Sequence, residues 1–146
     1  MDTKLFIKEK LTEVLSENKT AAGVLIKCVE TNRILLLLRN DKNPIWSLVS
    51  GGINDNEEII DGLKREIKEE LSIDPNIIKM NFIKTYEYPE KKSKFHYFEG
   101  LTNKEFLPTL DHENLKYLWC DESNLPTPLY DGLDLKIKNI WNKMKF

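Results

Sequence analysis

The stretch Ser50–Asp74, SGGINDNEEIIDGLKREIKEELSID, places seven carboxylates between Asp55 and Glu70 in a chain whose formal net charge is only -2. Acid-rich helices are often no more than solvated faces, so geometry has to decide whether this one does more. Successive residues of an α-helix lie about 100° apart, so with Glu66 at zero, Glu69 falls at roughly −60° and Glu70 at roughly +40°. The three carboxylates share one face. Ile60, Leu63, Ile67 and Leu71 fall at roughly 60 to 140° on the same scale, an apolar stripe suited to packing on a sheet, while Asp61, Lys64 and Lys68 point away from it. Like charges at i, i+3 and i+4 weaken an isolated helix by a few tenths of a kcal/mol per pair, roughly, and a bound cation removes that cost. Hard divalent ions such as magnesium take oxygen ligands and bridge carboxylates to substrate phosphates, so this face is suited to anchor one beside a cleft. Gly62, at roughly −40°, reads as an opening for a ligand or metal near the backbone, bought with about 1 kcal/mol of helix propensity.

Outward from this helix, expected from about Glu57 to Leu71, the chain alternates strand-like and helical patterns. Residues Ala21–Glu30 (AAGVLIKCVE) and Arg33–Asn40 (RILLLLRN) are β-rich runs parted by a polar turn, which predicts a hairpin buried on both faces. Ile45–Gly52 (IWSLVSGG) adds a short strand that ends at the glycines. Asn81–Tyr88 and Lys94–Leu101 read as two strands joined by PEKKS, and Asn114–Asp121 as the last strand. Ser72 to Pro75 favours helix termination. Leu5, Phe6, Leu11, Val14 and Leu15 recur at helical spacing near the N-terminus, as do Leu133, Ile137, Ile140, Trp141 and Met144 near the C-terminus. This order predicts the α/β class, a mixed sheet covered by helices, in one domain over residues 1–146 with an N-terminal helical extension over 1–18.

At 146 residues the chain can bury a core without disulfide or metal staples. Its 22 basic and 24 acidic side chains are interspersed, without the basic footprint that duplex nucleic acid attracts. Cys28 and Cys120 lack metal-site spacing and read as buried free thiols in a reducing compartment. No run approaches the roughly 20 apolar residues of a membrane helix, and no signal sequence is evident. A cytoplasmic protein without membrane contact is expected.

The pattern Gly51, five residues, Glu57, seven residues, then Arg65-Glu66-Ile67-Lys68-Glu69-Glu70-Leu71-Ser72-Ile73 resembles the Nudix box, G-x5-E-x7-R-E-U-x-E-E-x-G-U with U apolar. Eight of the nine fixed positions over residues 51–73 are met. Ser72 replaces a glycine suited to the left-handed end of the helix, and Ser50-Gly51-Gly52 stands where members usually read Pro-Gly-Gly, with the first rather than the second Gly in register. LLLLRN, IWSL and HENLKYLWCDESNLP extend the likeness over about residues 20–141. The resemblance implies a Nudix-type α/β/α sandwich that hydrolyses a nucleoside diphosphate derivative, such as ADP-ribose, a dinucleoside polyphosphate or a nucleotide sugar, with Mg2+ or Mn2+. It implies Glu57, Glu66, Glu69 and Glu70 as metal-binding, with Glu66 and Glu69 catalytic and Arg65 bracing them. The general base lies on the helix in some members and on a distal loop in others, for which Glu113 is the candidate. Arg39, Gly51 and Gly52 are candidates for contact with a small nucleotide substrate. A MutT-like (d)NTP pyrophosphohydrolase and a non-catalytic nucleotide-binding module are the alternatives, and a homodimer is compatible with either. His96 reads as structural, and Tyr86, Tyr88, Phe95 and Tyr97 mostly as core, with base stacking as the other reading.

Overall fold

The computed structural model describes residues 19–130 and 132–143, so the expected N-terminal helix lies outside them. The β-branched and apolar runs form β1 (Thr20–Cys28) and β2 (Ile34–Arg39), joined by a tight turn with Asn32 at φ 63°. The chain continues through β3 (Trp46–Ser47), β4 (Val49–Ile53) and α1 (Ile59–Leu71) to β5 (Lys79–Tyr88), β6 (Ser93–Thr102), β7 (Asn114–Cys120) and α2 (Leu133–Lys143). One seven-stranded sheet results, in the order β3-β2-β1-β6-β5, with β4 added to β1 and β7 to β2. It is mixed: β1 and β6 run parallel, and the other pairs are antiparallel.

Strand alternation explains why β1 and β2, apart from Thr20, Lys27 and Arg39, are apolar along their length rather than at every second residue. Ala21, Leu25, Ile34 and Leu36 belong to one core layer with Leu133, Ile137 and Ile140 of α2. Ala22, Val24, Ile26, Cys28, Leu35 and Leu37 belong to the other, with Leu63, Ile67 and Leu71 of α1. The helices therefore cover opposite faces, and the chain is the expected α/β/α sandwich. Each fully buried Leu or Ile contributes about 1.5–3 kcal/mol to holding these layers together.

Three local outcomes differ from expectation. Ile45–Gly52 is not one strand: β3 pairs with β2, while β4 pairs with β1 over Thr20–Val24 and β2 meets β1 only at Ile26 and Lys27, so the sheet forks and the chain crosses the fork at Leu48. Gly51 and Gly52 lie inside β4 rather than at its end, and the turn falls at Asp55 and Asn56. Gly62 opens no path to the backbone, because a Cβ there would meet Ile53 Cδ1 at 2.6 Å and Glu57 Oε1 at 3.1 Å; packing fills the space. The helix ends as the glycine of the box would end it: Ser72 adopts φ 55° and ψ 42°, and its N–H donates to Lys68 O at 3.0 Å. A non-glycine residue holds that left-handed conformation at a cost of about 1–2 kcal/mol.

Gly23 in β1 is packed tightly by buried side chains. An added Cβ would collide with Leu48 Cδ1 and lie 2.7 Å from Phe95 Cζ, both buried. Gly23→Ala is expected to cost about 1–3 kcal/mol by overpacking, read as a lowered urea midpoint with an unchanged m-value.

Candidate active site

Helix α1 arranges its glutamates by depth. Glu70 is 1% exposed, on the edge of the apolar stripe. The Glu66 side chain is 13% exposed and the Glu69 side chain 55%, so the acidic face runs from core to solvent. Glu66 lies against β4: a Cβ on Gly51 would collide with the Glu66 side chain, which explains why glycine stands there. Gly52 is exposed, with nothing within 4 Å of its missing Cβ.

Arg65 joins these groups. Its Nε and Nη2 donate to the two Glu57 oxygens at 2.8 and 2.9 Å, and Nη1 donates to Glu66 at 3.0 Å and Glu69 at 3.2 Å. Nη2 also donates to Gly52 O at 2.9 Å, tying the helix to β4. Only a planar guanidinium serves so many acceptors at once. Glu57 in turn accepts from the Asn54 N–H at 2.8 Å, closing the turn before the helix. Hydrogen bonds from Arg65 and Asn54 hold its carboxyl down at about 2. Glu66 moves the other way, raised by burial against the opposing pull of Arg65.

The long connection after β6 delivers a second acidic group. Thr109 N–H donates to Leu71 O at 3.0 Å and Asp111 N–H to Glu70 O at 3.4 Å, laying this segment along the end of α1. Glu113 is thereby brought within hydrogen-bonding reach of the Glu70 carboxyl, and its charge also acts on Glu66. Burial first, then the hydrogen bond with Glu113 and the charges of Glu66, Glu113 and Asp111, push Glu70 up to about 9. The buried Glu70 Oε2 has no hydrogen-bond partner. Arg39, where β2 meets Asn114 of β7, is engaged by Asp41 at 3.0 Å. Asn40, next to it, donates its N–H to Glu113 O at 2.9 Å.

Among the described residues no three acidic, His or Cys side chains converge to enclose a metal ion as they stand, because Arg65 holds Glu57, Glu66 and Glu69. The donor set nevertheless fits a hard divalent ion: all ligands are oxygens, one buried Glu70 oxygen is unpartnered, and Glu69 is exposed enough to turn. The raised Glu70 value has a consequence for stability. A carboxyl whose folded value lies above its ordinary 4.5 favours the fold at low pH, and that contribution is lost as pH rises toward about 9. The metal-free protein is therefore expected to lose thermal stability across this window. Glu70→Gln, which copies the neutral form, should flatten the slope in circular-dichroism melts, and magnesium should oppose the loss in the parent protein.

Of the sequence candidates, Gly52, Glu57, Glu66 and Glu69 are joined by Arg65 along one side of α1 with Gly51 against Glu66, Glu70 and the Glu113 segment lie at its C-terminal end, and Arg39 on β2 pairs with Asn114, the residue after Glu113. His96 faces Thr85, with Oγ1 to Nδ1 at 2.8 Å. Tyr88, Phe95 and Tyr97 are buried in the core, and Tyr86 lies under Lys136, whose Nζ is 4.7 Å from its ring centre. Sequence reading missed Asp111, although an Asp two residues before Glu113 is the spacing of a side chain that caps its own turn. It also missed the buried Lys136, which donates to Tyr86 OH at 2.5 Å.

The NUDIX domain profile matches residues 17–138. The 8-oxo-dGTP diphosphatase of Buchnera aphidicola is 38% identical over 93 residues, spanning 60% of this chain and 72% of that one. The dihydroneopterin triphosphate diphosphatase of Escherichia coli is 32% identical over 112 residues, spanning 67% and 75%. Among solved structures, a C. elegans Ap4A hydrolase superposes with a TM-score of 0.67 at 22% identity, covering 84% of this chain and 94% of that one, a likeness of fold. With the profile spanning most of its length, the chain belongs to the Nudix family and is a pyrophosphohydrolase, of a family whose hydrolases generally depend on a divalent metal.

Proposed function

We propose that the chain cleaves a diphosphate linkage within a nucleotide, with Glu66, Glu69 and Glu70 as the main ligands of Mg2+ or Mn2+ and Glu57 joining them when its pair with Arg65 opens. The observation that carries this reading is the buried, unpartnered Glu70 oxygen, within reach of the charges of Glu66 and Glu113, on the same helix as a guanidinium that binds four carboxylate oxygens of Glu57, Glu66 and Glu69. Bound there, a divalent ion neutralises diphosphate oxygens and makes a water more acidic. Arg65 orients the glutamates through its fork. In this reading Glu113 takes the proton from water as it attacks phosphorus and the bridging P–O bond breaks. Arg39, Gly51 and Gly52 border the approach for the phosphates. The free thiols Cys28 and Cys120 fit a cytoplasmic setting, where such substrates occur.

Nucleoside diphosphate derivatives such as ADP-ribose, dinucleoside polyphosphates and nucleotide sugars are the first substrate class. The activities of the Buchnera and Escherichia coli relatives favour a second, nucleoside triphosphates and their analogues. A panel containing both classes separates them by the product pair released. Turnover is expected with magnesium or manganese, to vanish on chelation, and to be absent with nucleoside monophosphates, which have no bridge. In oxygen-18 water the label should appear in a phosphate product. Tight binding of one panel member without any metal-dependent turnover would instead establish a non-catalytic module.

A further inference from the structure

Glu113 stands on a connection without regular secondary structure, yet a base has to be placed to a fraction of an ångström. Its backbone is held at several points. Asp111 Oδ1 accepts the Glu113 N–H at 3.0 Å, closing a turn in which the Asp side chain takes the place of a backbone acceptor. The Asp111 N–H donates to Glu70 O at 3.4 Å, and the Asn114 N–H donates to Asp111 O at 3.5 Å. On the other side Asn40 donates its N–H to Glu113 O and its Nδ2 to His112 O, both at 2.9 Å. Among the described residues, Asp111 is therefore the one bonded both to the backbone of a helix glutamate and to the backbone of Glu113.

We propose that Asp111 is a positioning residue for the hydrolysis, acting through Glu113 by fixing its main chain against the end of α1; this rests on the reading of Glu113 as the base. Hydrogen bonding, not charge, is the operative property. Asparagine offers the same acceptor oxygen at the same distance from the backbone and keeps the turn, whereas alanine removes it. The Asn40 bonds and the Thr109-to-Leu71 bond remain in either variant, so both should fold with melting curves close to the parent.

The test is a double-mutant cycle on kcat and KM in the full chain with saturating magnesium and the best panel substrate. Glu113→Gln should lower kcat at least about 100-fold, within the range for loss of a general base. Asp111→Ala should lower kcat at least about 10-fold with KM little changed, and Asp111→Asn should restore most of it. The double variant Asp111→Ala with Glu113→Gln should be no slower than Glu113→Gln alone, because a displaced base that is already absent costs nothing further. Additive losses, or an Asp111→Asn variant as slow as Asp111→Ala, would overturn the proposal and make Asp111 act by its own charge. An unchanged rate in Glu113→Gln would sink the reading of Glu113 instead, and parent-like kcat in Asp111→Ala beside a slow Glu113→Gln would sink the positioning role alone.

Discussion

Glu69→Gln is expected to leave the thermal transition nearly where it was and to lower kcat at least about 100-fold. The two expectations come from different properties of one side chain. The Glu69 side chain is 55% exposed and, among the described residues, bonded through one 3.2 Å contact with Arg65, so removing its charge is a surface change of the kind that alters stability by no more than about 0.5 kcal/mol. Glutamine has nearly the same shape, but an amide oxygen lacks the charge that holds a divalent ion against a diphosphate. Titrating magnesium in the kinetic assay distinguishes weakened metal affinity, which high magnesium rescues, from a lost transition-state contact, which it does not. A parent-like rate throughout the titration would remove Glu69 from the metal set and leave it as the outer arm of the Arg65 cluster.

Gly51→Ala should produce a loss of similar size by a different route. The added methyl collides with Glu66, and every close atom belongs to that side chain rather than to backbone. The chain can relieve the clash by swinging Glu66 away, so the fold should lose little stability. What moves is a carboxylate held by Arg65 at 3.0 Å within the proposed metal set. A misplacement of about 1 Å in such a constellation costs about 100-fold in rate. Gly52→Ala is the comparison, since its methyl meets nothing within 4 Å and leaves Glu66 in place; its effect should fall on KM, where the substrate approaches. A Gly51→Ala enzyme with parent-like kcat would show that the position of Glu66 is not critical. A variant that fails to fold would show that the β4–α1 contact is tighter than a side-chain swing can relieve.

Much of this was legible in the sequence because it depends on local periodicity. The period of α1 put Glu66, Glu69 and Glu70 on one face and Leu63, Ile67 and Leu71 on another, and both assignments hold in three dimensions. The unbroken apolar runs of β1 and β2 indicated strands covered on both faces, which is what α1 and α2 provide. The spacing of the box identified the family. The reading of Gly62 failed for an instructive reason: a missing side chain on a helix face indicates a close neighbour without saying which, and Ile53 from β4 takes the space.

By itself, then, the sequence determined the helices and strands, the apolar faces that join them, and the carboxylates and arginine that face one way along α1, because each follows from the repeat of a single element. Tertiary structure alone decided how those carboxylates differ. Glu57 and Glu70 are the same residue type in the same motif, yet one is held at about 2 and the other raised to about 9. Arg65 and the Asn54 N–H surround the first with donors, whereas the second is buried against Glu113 and Asp111, which reach it only because β6 and β7 are joined across the end of α1. Ionisation depends on the dielectric and the charges around a group, and those are set by which distant segments the fold brings into contact.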